Sequence, residues 1–176
     1  RSTLFPYTTL FRSIRFMGHP YEVHFPEFEI KALDEEEKDG LLMTSLPAKT
    51  FILRYLLEGQ YVQSSGKFMT FREVPTYGEL YIQPFTGRCI KRLTYGFGFK
   101  LKAFAEGMEK IPGVKKIPMG DVAYEFELID GYRMQFIFWA GDEEFPPSAQ
   151  ILYSDNFQFG FHAEDMVVAG DLSITT

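Results

Sequence analysis

The chain reads as an α+β domain: one mostly antiparallel sheet with about three helices packed on one face. Three observations lead there. Short runs of alternating apolar and polar residues recur between Gly, Pro and Asp, which is the pattern of half-buried strands. Leu46–Glu58 carries its apolar residues at helical spacing. Strand and helix patterns are interspersed without the strand–helix–strand rhythm of a parallel sheet.

Taken in order, Thr3–Ser13 reads as a translated sequencing-adapter oligonucleotide. Residues 1–13 are therefore set apart as an artefact expected to be disordered, and residues 14–176 as a single α+β domain. On that reading the natural N-terminus is missing and the source is environmental DNA. Tyr21–Leu33 alternates, with Pro26 breaking its middle, so a strand pair or a bent edge strand is expected. Asp34–Gly40 reads as a solvated acidic loop. In Leu46–Glu58 the stripe is Ala48, Phe51, Ile52, Tyr55 and Leu56, with Ser45 as N-cap, Pro47 in the first turn and Gly59 closing the end. Lys67–Val74 and Leu80–Phe85 are expected as strands, Arg88–Gly96 as a short helix and Phe99–Lys110 as a longer one stopped by Ile111-Pro112-Gly113.

Val122–Leu128 and Met134–Trp139 form an expected antiparallel hairpin around Asp130-Gly131. Their apolar faces coincide if Leu128 opposes Met134 and Phe126 opposes Phe136, which requires a loop of three or five residues. Trp139-Ala140-Gly141-Asp142-Glu143-Glu144-Phe145-Pro146-Pro147 then reads as a rigid crossover to a further strand, Gln150–Tyr153. A cis bond at Phe145–Pro146 or Pro146–Pro147 is compatible with it. His162–Ala169 is expected as a final helix, with Glu164 and Asp165 complementing its dipole.

Composition excludes several classes. The formal net charge is −6, or −8 once Arg1 and Arg12 are set aside, and Arg88–Arg92 is the only short basic run. Such a surface repels nucleic acid and anionic membranes. Cys89 is the single cysteine, so no disulfide framework, zinc ribbon or iron–sulfur cluster arises within the chain. No apolar run reaches spanning length. A cytoplasmic location is the expectation. Tyr95-Gly96-Phe97-Gly98 lacks the third glycine of a dinucleotide site, and no G-x-S-x-G is present.

Candidate ligand-binding residues are Arg72, Arg88, Trp139, Asp142, Glu143 and Glu144. The arginines can hold an anion bidentately, and the acids can supply hard-cation ligands. Asp142, Glu144, His162 and Asp165 are the candidate metal set, with Asp155 and Glu164 as further oxygen donors, although their spacing matches no metal motif. The competing reading is structural: carboxylates that cap backbone N–H groups or pair with Arg72 or Arg88. His19 and His24 flank a strand and are expected at the surface.

Thr70-Phe71-Arg72-Glu73-Val74, Tyr81–Arg88, Gly120–Phe126 and Trp139–Asp155 follow one another in the chain. Together they resemble the bacterial and archaeal domain of unknown function family 3786, common in anaerobes, over roughly Tyr21 to Gly170. The resemblance implies a fold unit and no reaction or cofactor. The leading expectation is an accessory domain of anaerobic metabolism that binds a small molecule or a protein partner. The alternatives are a metal-dependent enzyme built on Gly141–Pro147 with His162, and a structural interaction module.

Overall fold

The computed structural model describes residues 11–175. The strands are β1 (Phe11–Phe16), β2 (His19–His24), β3 (Glu29–Ala32), β4 (Phe68–Thr70), β5 (Lys115–Lys116), β6 (Val122–Ile129), β7 (Tyr132–Trp139) and β8 (Ser148–Ser154). The helices are α1 (Leu41–Thr44), α2 (Leu46–Glu58), α3 (Gly78–Phe85), α4 (Lys91–Phe97), α5 (Leu101–Met108), α6 (Phe157–Gly160) and α7 (Ala163–Thr175). The strands form one antiparallel sheet in the order β3-β2-β1-β6-β7-β8-β4, with β5 added beside β6. The α+β class holds, with more helices than the three expected.

The sheet has one apolar and one polar face because its strands alternate. Phe126, Met134, Phe136, Ile151 and Tyr153 are buried beneath the helices. The Tyr153 hydroxyl donates to the Met166 carbonyl of α7 at 2.8 Å. On the other face Glu125 accepts from Arg133 at 2.6 Å and from Gln135 at 2.9 Å. Arg15 pairs with Glu127 at 2.8 Å across β1 and β6.

Helix α2 has the bounds expected, the same buried stripe and the Ser45 cap on the Ala48 N–H. The β6–β7 hairpin differs. Its connection is the two-residue turn Asp130-Gly131, both at positive φ, with Ile129 facing Tyr132. A bulge between Glu127 and Ile129 then restores the parity of the faces, so that Phe126 rather than Leu128 opposes Met134, and Tyr124 rather than Phe126 opposes Phe136. The alternation required an odd offset; the chain places it in the strand rather than in the loop.

Gly78–Phe85 is a helix, not the strand expected from Leu80–Phe85. Its covered positions, Gly78, Tyr81, Ile82 and Phe85, recur at helical spacing, while Leu80 stands 71% exposed. Of Lys67–Val74 only Phe68–Thr70 is strand; Phe71–Glu73 is a 3-10 turn held by a Thr70–Glu73 capping box. Disorder over residues 1–13 does not extend to Phe11, Arg12 and Ser13, which pair with His24, Val23 and Glu22. Residues 1–10 lie outside the described residues. The cis bond among them is Phe25–Pro26, so Phe145-Pro146-Pro147 is trans.

Candidate functional site

The connection Ala140–Pro147 closes the β7–β8 hairpin, with Trp139 opposite Ser148. Asp142 holds it together. Its Oδ1 accepts from the Glu144 N–H at 2.9 Å and the Phe145 N–H at 2.7 Å, while its own N–H donates to the Phe145 carbonyl at 2.9 Å. This is an Asx-type turn, in which a short carboxylate substitutes for a backbone acceptor. Pro147 packs against Gly141 and also against Gly98, just past the end of α4, where an added Cβ would lie within 2.6 Å of its ring. Asp121 fixes the loop's first residue by accepting from the Ala140 N–H at 2.7 Å.

Large apolar side chains on this connection and on either side of Gly98 are exposed. Trp139 is 38% exposed, Phe145 67%, Tyr95 83% and Phe99 82%. Tyr95 lies one helical turn before Gly98, and Phe99 follows it. Glu143 and Glu144 stand exposed, in no ion pair among the described residues, while Trp139, next to the helix-facing Phe138, lies on the face of the sheet away from α4.

The other sequence candidates are dispersed. Arg88 pairs with Asp171 at 2.8 Å, and Arg92 binds the same carboxylate at 2.6 Å. Arg72 is exposed on the 3-10 turn and lines a shallow groove with Ile82, Thr86 and Gln150. Neither arginine pairs with the acidic loop. His162 follows the far end of β8, so roughly 20 Å of strand separates it from Asp142 and Glu144. It faces Glu58 at 3.6 Å. Asp165 is buried, accepts from the His162 N–H at 3.1 Å and pairs with Arg54 at 2.9 Å; burial nonetheless raises its pKa above the usual carboxylate value. Glu164 also faces Arg54, and Asp155 is held by Ser64 and Ser65. Among the described residues no group of three or more His, Cys, Asp and Glu side chains is arranged to hold a metal. Cys89 is buried and its thiol is pushed up to about 12, so it has no reactive thiolate character.

A second cluster escaped the sequence reading. His19 is only partly exposed: its Nδ1 lies 3.0 Å from Asp34 and its Nε2 3.5 Å from Glu37. Tyr21, 1% exposed, donates to Glu37 at 2.6 Å, and burial followed by that carboxylate raises its pKa far above the usual value. The signal was available in the alternation of His19, Tyr21 and Val23. It places all three on the inner side of β2, ahead of an acidic loop short enough to fold back over them.

The family model described as Domain of unknown function (DUF3786) matches residues 8–176, and the chain belongs to that family. Neither the curated proteins nor the solved structures contain a match to it. No helix among the described residues is long and apolar enough to cross a membrane.

Proposed function

We propose that this member of the DUF3786 family is a binding module that docks a cationic, apolar segment of a partner protein on the aromatic–acidic surface around Ala140–Pro147. The observation that supports this reading is that the loop carrying exposed Glu143, Glu144 and Phe145 meets the end of α4 through Pro147 and Gly98, where Tyr95 and Phe99 are also exposed. Aromatic anchors supply most of the energy of a typical interface. Exposed ion pairs add only about 0.2–1 kcal/mol each, but complementary charge selects partners and speeds association. The sheet edges offer less. β4 is three residues long, and β3 is four residues carrying exposed Glu29 and Lys31, features that discourage strand addition. A cytoplasmic, accessory setting in anaerobic metabolism belongs to the same proposal and draws on the family resemblance.

Trp139, the only tryptophan, immediately precedes this loop, so its fluorescence reports on the loop's environment. Titration with a nine-residue peptide alternating leucine and arginine should give a saturable emission change. E143Q/E144Q and F145A should each weaken it about tenfold, and added salt should weaken it further. The reading fails if a peptide with glutamate in place of arginine binds equally well, or if the arginine peptide leaves the emission unchanged. Concentration-dependent dimerisation that buries Trp139 would also overturn it, by giving the surface to a second copy of the chain.

A further inference from the structure

A cavity of about 420 Å³ lies between the β1–β2 hairpin, the Glu35–Glu37 3-10 turn, α1 and the end of α5. That size suits a small organic ligand. Its body is apolar, lined by Phe16, Met17, Leu41 and Ile111. Its polar end is Tyr21, Glu37 and His19, with Asp34 behind the His19 ring. The backbone makes room at that end. Gly40 has no Cβ because the Glu37 carboxylate occupies that space: an ideal Cβ would fall 2.0 Å from Oε2.

The hydrogen-bond inventory selects the ligand. The Tyr21 hydroxyl proton is already given to Glu37. Both ring nitrogens of His19 face carboxylate oxygens. What remains free at the polar end is acceptor capacity, since a carboxylate has about four lone-pair sites and Glu37 uses two here. Lys110, a donor, is exposed at the rim rather than at this end. A ligand head must therefore donate, and a head that is also cationic gains a charge-assisted bond to Glu37. We infer that this cavity binds a small organic amine, its ammonium on Glu37 and its apolar body against Phe16, Met17, Leu41 and Ile111.

Two-dimensional amide NMR of the full chain tests this with 2-phenylethylamine, 2-phenylethanol and phenylacetate, each titrated to millimolar concentration. The amine should shift the Gly18, Gly40, Leu41 and Gly107 resonances saturably. The alcohol and the acid should shift them at least tenfold more weakly. E37Q should abolish the preference for the amine while retaining the far-ultraviolet circular dichroism of the parent. Y21F, which leaves the Glu37 carboxylate in place, should keep it. The inference is overturned if the alcohol or acid binds as well as the amine, if E37Q keeps the amine preference, or if no amine shift appears at these residues. Trp139 fluorescence is read separately, so failure of either binding proposal leaves the other standing.

Discussion

The Asp142–Glu144 loop turns two of its three carboxylates to solvent, whereas the Glu35–Glu37 turn folds one of its three back over Gly40 onto Tyr21 and His19. Both are runs of acids beside a strand. What separates them is the neighbouring backbone. Pro146 and Pro147 restrict the first loop, and Asp142 spends its lone pairs on the loop's own N–H groups. The second has a glycine where Glu37 must pass, and a buried hydroxyl waiting for it. An acid run becomes a surface or a cavity wall according to whether a donor lies beneath it.

The largest expected effect lies on the inward side and concerns its hydroxyl. Tyr21, Tyr55, Tyr124, Tyr132 and Tyr153 all have pKa values raised chiefly by burial, Tyr124 and Tyr132 to about 12. A raised folded value means that the folded state keeps its proton after the unfolded chain has lost it. Stability from these groups is complete below about pH 10, the unfolded tyrosine value, and falls as pH rises through the folded values. The melting temperature should drop steeply above pH 10, and tyrosinate absorbance should appear together with unfolding. Titration of all ten tyrosines in a still-folded protein would contradict it.

Next come the groups that distinguish the inward turn. Y21F removes the donor to a partly buried carboxylate and should cost about 1.5–3 kcal/mol. G40A displaces the flexible end of Glu37 and should cost part of the same amount, with little added loss when combined with Y21F. Chemical denaturation of the two single variants and the double variant measures this. Full additivity would mean that Gly40 and Tyr21 do not act through the same carboxylate.

Self-contained segments were legible in the sequence. Leu46–Glu58 carries its cap, its proline and its stripe within one stretch, so nothing distant is needed to read it. That β6 and β7 pair, and the parity of their faces, were legible for the same reason, whereas β1 was set aside with the first 13 residues. Gly78–Phe85 was misread because Leu80 and Ile82 alternate as a strand would, while the helical stripe beneath them begins on a glycine. The bulge at Leu128 was hidden because a loop residue and a strand residue correct parity equally well. The site was harder. Tyr21 and Glu37 meet across 16 positions, and the Ala140–Pro147 loop meets the end of α4 only because Pro147 packs on Gly98. Residue types suggested the acids of Asp142–Glu144, while Asp34–Gly40 read only as a solvated loop; only the fold decides which way each faces.

The smallest expected effects lie on the outward loop, where they separate the acid that builds it from those that decorate it. D142A removes the acceptor for two backbone N–H groups and should cost about 1 kcal/mol, as loss of a capping side chain does. That is a fall of a few degrees in Tm for a domain of this size. E143Q/E144Q touches exposed groups in no ion pair and should stay within about 0.5 kcal/mol of the parent. The two variants should thus part company, D142A lowering the denaturation midpoint and E143Q/E144Q lowering only the affinity for the arginine peptide. If E143Q/E144Q lowered the midpoint as far as D142A, all three acids would be structural. The loop would then be a second inward-acting segment, and the contrast with Glu35–Glu37 would disappear.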